Sequence, residues 1–156
     1  MEKYNTLKNK KDFNLFMNNL SDYNLRIKNI LKKDELTYEE DEVKLISKYF
    51  LELNENRDFD NESKKAFIAY LGEAFMKIFG GEWDFTGLKS DSFAINEPVI
   101  TKYKNEGIRM SPSETIYKIF EEKNENYFNW SIKYMEDFQN KTDDIFAELF
   151  PKKKKK

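Results

Sequence analysis

"AYLGEAFMKIFGG", residues 69 to 81, is the least polar stretch of a chain dense in charge. Its apolar residues cover nearly every face of a helical wheel, which reads as a helix at the centre of a fold rather than on its surface. Gly80 and Gly81 follow as a stop signal. Glycine inside a helix costs about 1 kcal/mol relative to alanine. Gly72 therefore implies a neighbouring element that approaches closely, and Trp83 is the expected occupant of the notch once the double glycine has reversed the chain. With Glu73 set at zero on the wheel, Ala66, Ala69, Tyr70 and Lys77 fall within roughly 60° of it. They read as one narrow wet stripe. Glu73 and Lys77 are also in the favourable i, i+4 order for an ion pair, worth a few tenths of a kcal/mol. Glu73 then has two readings: a solvated helix residue, or a carboxylate at the edge of a pocket shared with Trp83.

Towards the N-terminus, residues 1–9 read as a polar, frayed segment. From Lys10 the set Phe13, Phe16, Met17 and Leu20 has helical spacing, continued by Tyr23, Ile27, Ile30 and Leu31. Ser21 is a possible cap if the run divides into two helices. "TYEEDEVKLISKYFLEL" follows, with Thr37 and Glu40 fitting a capping box and Glu39 to Glu42 filling a first turn. Val43, Ile46, Phe50 and Leu53 mark its buried stripe, and a polar connector leads to a helix from about Ser63 to Phe79.

Beyond Gly81 the pattern changes. "EWDFTG" and "SFAINEPVITKY" alternate, with β-branched residues and breaks at Gly87, Asn96 and Pro98, which reads as two or three short antiparallel strands. In "GIRMSPSETIYKIF", Ser111 is a natural N-cap, Pro112 fits the first helical position and Glu114 completes a capping box. Ile116, Ile119 and Phe120 form that helix's stripe. "NENYFNWSIKYMEDF" resumes helical periodicity and "DDIFAELF" reads as a final short helical turn. The expected fold is α+β: a mostly helical single domain over 10–150, with a small antiparallel sheet between N-terminal and C-terminal helices, and a disordered lysine tail at 151–156.

The 156 residues suit one domain with a real core. Fourteen Phe, 9 Tyr and 2 Trp against 5 Gly and 3 Pro supply that core with rings, although abundant Asn, Lys, Phe, Tyr and Ile also fit the coding bias of an AT-rich genome. The chain has no Cys and no His, which excludes disulfides, thiolate nucleophiles, Cys/His zinc sites and imidazole bases. Lys152 to Lys156 hold five of the 27 basic residues, leaving 22 against 29 acidic ones, a charge of −7 for the body. That balance disfavours nucleic acid as a partner of the folded body and favours a basic protein. No secretory h-region and no apolar run of membrane-spanning length is visible, so a cytoplasmic location is expected.

Four further groups each admit two readings. Glu39 to Glu42 compensate a helix dipole, or with Glu39 and Glu42 outward they face a basic partner; successive helical residues diverge too far to share one ion. "RDFDNE" has calcium-loop spacing but lacks the central glycine and distal glutamate. Tyr127, Trp130 and Tyr134 form an i, i+3, i+7 ridge beside a second face of Phe128, Met135 and Phe138. One face must be core; the other marks an interface if it is left in solvent. No phosphate loop, nucleophile elbow, metal signature or cofactor motif is present. The lysine tail is either a solubilising terminus or a contact for anionic lipid or nucleic acid.

"YLGE" on an apolar helix, then "GGEW", "EPVI" and "SPSETI", resembles a loose group of small uncharacterised bacterial proteins, some of which are similar to immunity proteins encoded beside secreted toxins. The similarity spans roughly residues 66 to 120. It implies a non-catalytic protein that binds another protein, such as a basic toxin domain, and it implies no catalytic residue. The competing expectation is a carboxylate-dependent enzyme with its site near Glu73 and Trp83.

Overall fold

The computed structural model describes residues 5–86, 96–102 and 109–149. Among the described residues, six helices and a two-stranded sheet run in the order α1 Lys10–Asn18, α2 Leu20–Leu31, α3 Glu40–Glu55, α4 Asn61–Phe79, β1 Glu82–Thr86, β2 Glu97–Thr101, α5 Pro112–Glu122 and α6 Tyr127–Leu149. This is a mostly helical α+β domain with one small antiparallel sheet, as the patterning indicates. The remainder of the expected strand region, at 87–95 and 103–108, and the lysine tail at 151–156 lie outside the described residues.

α4 is the axis of the molecule and packs against α2, α3, α5 and β2. Ala66 to Gly72 are all buried, so the expected wet stripe does not exist over most of its length. Ala69 and Tyr70 turn towards α2 and the α2–α3 connector, which a wheel drawn for one helix does not contain. The stripe is reduced to a half-buried Glu73 and an exposed Lys77. Asp60 caps α4 by accepting the Ser63 amide at 2.8 Å, which occupies the carboxylate that gave "RDFDNE" its calcium-like look. Gly80 and Gly81 end the helix with φ of 74° and 102°, a backbone region that glycine enters without steric cost.

The chain then reverses into the hairpin, with Trp83 paired to Ile100 and Phe85 to Pro98. Ile100 also exchanges backbone hydrogen bonds with Met110 at 2.9 and 3.0 Å on its other side. Trp83 swings back onto α4, where a Cβ built at residue 72 would overlap its Cη2 and Cζ2 atoms. The same ring meets Phe16 edge-on at 5.2 Å and 76°. Gly72 is therefore a packing notch filled by Trp83, and the close contact offsets the helix penalty of the missing side chain.

Other boundaries shift in instructive ways. The first helical run breaks at Asn19 rather than at Ser21, and Asn9 caps α1 by accepting the Asp12 amide at 3.0 Å. Ser111 caps α5 through the Glu114 amide, with Pro112 in the first turn, as expected. The C-terminal region is one continuous 23-residue helix rather than a helix and a separate turn. No glycine or proline lies within it to end it.

The N-terminal segment is not frayed at residues 6 and 7. Leu7 is fully buried, its amide donates to the Asn96 carbonyl at 3.1 Å, and the Asn61 side chain donates to the Thr6 carbonyl. The reason lies at Glu97, fully buried at the start of β2. Its Oε1 accepts the Thr6 amide at 3.2 Å and the Thr6 hydroxyl at 2.8 Å, with Lys64 Nζ at 3.7 Å. Burial pushes the Glu97 carboxyl above its ordinary range, against the opposing pull of Lys64, Thr6 and Ser113. A buried carboxylate requires such donors, and Thr6 in the N-terminal segment supplies two of them.

Candidate functional site

Two features stand out on this frame. The first is a cavity of about 210 Å³ between α2, α4 and the α2–α3 connector, with Tyr23, Tyr38 and Tyr70 among its walls and Glu73 at its edge. The second is an array of exposed rings along α6.

The cavity wall is held in place by Glu42. Thr37 and Glu40 do not form the expected capping box; α3 begins at Glu40 with Glu39 as its N-cap residue, and Glu39 makes no side-chain cap bond. Glu42, in the first turn, reaches back instead. Its Oε2 accepts Lys33 Nζ and the Thr37 amide, each at 2.9 Å, and the Thr37 hydroxyl at 3.1 Å. Its Oε1 accepts the Tyr38 amide and the Tyr70 hydroxyl, each at 2.9 Å. Burial raises the carboxyl's affinity for a proton, but hydrogen bonds from the Thr37 amide, Lys33, the Tyr38 amide and Tyr70 outweigh it and bring the pKa down to about 2. Glu42 is 2% exposed, so it cannot face a partner and is removed from the candidate binding surface. Glu39 remains exposed beside it.

Tyr38 sits at a positive φ of 58°, a conformation uncommon for a bulky residue and here fixed by the two amides that Glu42 accepts. Its ring lies 5.1 Å from that of Tyr70. Burial, Glu73 and Glu42 together push its hydroxyl pKa up to about 12. Tyr70 rises further still through burial and its bond to Glu42, and burial followed by Glu62 raises Tyr23 to about 12. All three phenols are neutral at physiological pH, in surroundings that disfavour added negative charge.

Glu73 is half-buried at the cavity edge and accepts the Trp83 indole N–H at 3.3 Å. The expected ion pair with Lys77 is not formed, because Lys77 Nζ donates to the Thr37 carbonyl. The structure thus brings Glu73 and Trp83 together but supplies no converging second acid among the described residues, of which Glu73 is the one carboxylate lining the cavity. Glu42 touches the same wall through Tyr70 but already accepts five hydrogen bonds. Paired-carboxylate chemistry needs two acids of separated proton affinity at one cleft, and this arrangement does not provide them. Among the described residues, no group of three or more acidic side chains is placed to hold a metal ion.

On α6, Phe128 and Ile132 face the core, so the second of the two aromatic faces is the buried one near the helix start. Tyr127 is half-buried. Trp130 and Tyr134 are 60% and 59% exposed, and Phe138, expected on the other face, joins them at 60%. Their rings stack in series, Trp130 to Tyr134 at 5.6 Å and Tyr134 to Phe138 at 6.5 Å, with interplanar angles of 21° and 16°. Tyr127 extends the row at 6.0 Å from Trp130. Ile145 and Leu149 continue an exposed apolar side along the helix.

Sequence reasoning missed Tyr38, Tyr70 and Asn24 as cavity residues. Tyr70 gave a signal in its place one turn before Glu73, but its partner Glu42 lies 28 residues away. No protein-family model, curated protein or solved structure matches the chain. Among the described residues no helix is long and apolar enough to cross a membrane.

Proposed function

We propose that the chain works by binding another protein, with the α6 ridge as the docking face, in the manner of an immunity-type inhibitor held against a basic toxin domain. The observation that carries this reading is the stacked row of Trp130, Tyr134 and Phe138, each about 60% exposed. Rings of this size dominate interface energetics because burying them removes large apolar areas from water at little conformational cost. A contiguous exposed apolar row of this kind marks a contact surface far more often than a scattered surface ring does. The body charge of −7 favours a basic partner and speeds its encounter.

The test is affinity capture with the intact chain and with Trp130→Ala/Tyr134→Ala, combined with light scattering of the purified protein. The expected result is a monomer that retains a specific basic protein, and a variant with unchanged melting temperature that loses it. A protein that self-associates through the ridge, or a captured set unaffected by the double substitution, overturns the proposal.

A further inference from the structure

The two ends of α6 are held very differently. Its first part is anchored to the body: Phe128 and Ile132 are buried, Met135 is half-buried, and the Asn129 side chain donates to the Glu40 carbonyl at the start of α3 at 2.9 Å. From Glu136 to Leu149 every described side chain is exposed. Phe138, Ile145 and Leu149 are among them, at 60%, 49% and 67%. Closing this segment into a helix removes little apolar surface from water in the free chain, and such burial is what stabilises most protein helices. Local terms do not replace it. Asp137, Asn140, Thr142 and Asp144 are weak helix formers, because their side chains compete for backbone groups or lose rotamer freedom. The last turn holds no basic residue, and Glu148 within it faces the negative end of the helix dipole. Continuation from the anchored part removes the need for a helix nucleus. Propagation, however, is close to balanced, with a factor of about 1–1.6 per residue for good formers near 0 °C and less for weak ones.

We propose that residues 136–149 form a conditional helix, which opens and closes locally in the free chain and is held closed when a partner covers the ridge. The covering step rests on the docking reading above, whereas the local equilibrium belongs to the free chain alone. Trp130 and Tyr134 lie on the anchored part and meet the partner first. Phe138, Ile145 and Leu149 join the contact only as the outer part closes, so the contact grows as the helix forms. Affinity is then set in part by the closed fraction. If about one chain in ten is closed, the apparent dissociation constant is about ten-fold higher than that of a pre-closed helix.

Amide hydrogen exchange of the full chain at neutral pH, read by mass spectrometry, tests the equilibrium. Amides of 140–149 should exchange within about ten-fold of the unstructured-chain rate, and those of α4 at least about a thousand-fold more slowly. Thr142→Pro, which disrupts any helix that the fold depends on, should leave the urea midpoint unchanged. Asp144→Lys/Glu148→Lys complements the helix dipole and should slow exchange of the segment several-fold. Protection of 140–149 equal to that of α4, a lowered urea midpoint in Thr142→Pro, or no response of exchange to the paired charge reversal overturns the proposal. Benzoylphenylalanine in place of Tyr134 supplies the covered state, as a purified covalent adduct with a heterologous protein. Exchange of 140–149 should be at least about a hundred-fold slower in that adduct than in the free chain. An adduct with unslowed exchange overturns the covering step and leaves the ridge as the docking face. No adduct at position 134 overturns the docking face and the covering step together, while the free-chain exchange decides the local equilibrium by itself.

Discussion

Replacing Glu42 by glutamine should destabilise the fold severely, and the loss should depend on pH. The substitution keeps the shape of the side chain but not its capacity to accept on both sides. Oε1 takes two donors and Oε2 takes three, so a glutamine amide turns an NH2 group against donors whichever way it faces. The folded carboxyl lies at about 2 against an ordinary value of 4.5, which at 1.36 kcal/mol per unit corresponds to roughly 3 kcal/mol of stability at neutral pH. Because the folded value is depressed, that contribution is complete above pH 4.5 and fades as pH falls towards 2. By the same linkage roughly 1 kcal/mol of it remains at pH 3. Urea unfolding of the native chain and of Glu42→Gln at pH 7 and pH 3, followed by tryptophan fluorescence, measures both quantities. A gap of about 3 kcal/mol at pH 7 that narrows by about 2 at pH 3 is expected. A gap below 1 kcal/mol at pH 7, or one that does not change with pH, would refute the structural role assigned to Glu42.

Other substitutions probe the remaining joints. Gly72→Ala gains helix propensity but forces a Cβ into the Trp83 ring, so a net loss of about 1–3 kcal/mol is expected in thermal or urea unfolding, with partial recovery when Trp83→Leu is added. Lys64→Met leaves the buried Glu97 carboxylate without its cation and should cost about 3–5 kcal/mol at pH 7. Since the folded Glu97 carboxyl is raised, the variant should be most stable below the unfolded carboxyl's pKa and lose stability as pH rises through the folded value, which a pH series of melting temperatures would show. Thr6→Val removes one donor from Glu97 and should cost about 1 kcal/mol or more. An unchanged urea midpoint would mean that the N-terminal segment does not hold the sheet.

The parts of the fold that were legible rest on chemistry within a few residues of one another. Ser111, Pro112 and Glu114 announce α5 because cap, first position and acceptor lie in one turn. Gly72 and Trp83 find each other because eleven residues and a double glycine permit only a short reversal. Long-range arrangements left no such trace. Glu42 looked like one of four interchangeable first-turn acids, and only the connector carrying Thr37 and Tyr38, with Tyr70 from α4, distinguishes it. The docking of Leu7 and Thr6 depends on a carboxylate 91 residues away from Thr6. The same limit applies to the cavity: its rings come from α2, the connector and α4, and no local pattern unites them. On α6 the periodicity showed two aromatic faces but could not tell which one the body would cover, and Phe138 is solvent-exposed because the helix extends past the core that buries Phe128.

Site-directed photocrosslinking tests the protein-binding ridge most directly. Benzoylphenylalanine would replace Tyr134 on α6 and, separately, Leu25, an equally exposed residue on α2. If the ridge is the docking face, irradiation in cells should join one heterologous basic protein to position 134 and not to position 25. No adduct at position 134, an adduct only with a second copy of the chain, or equal labelling at both positions would contradict it.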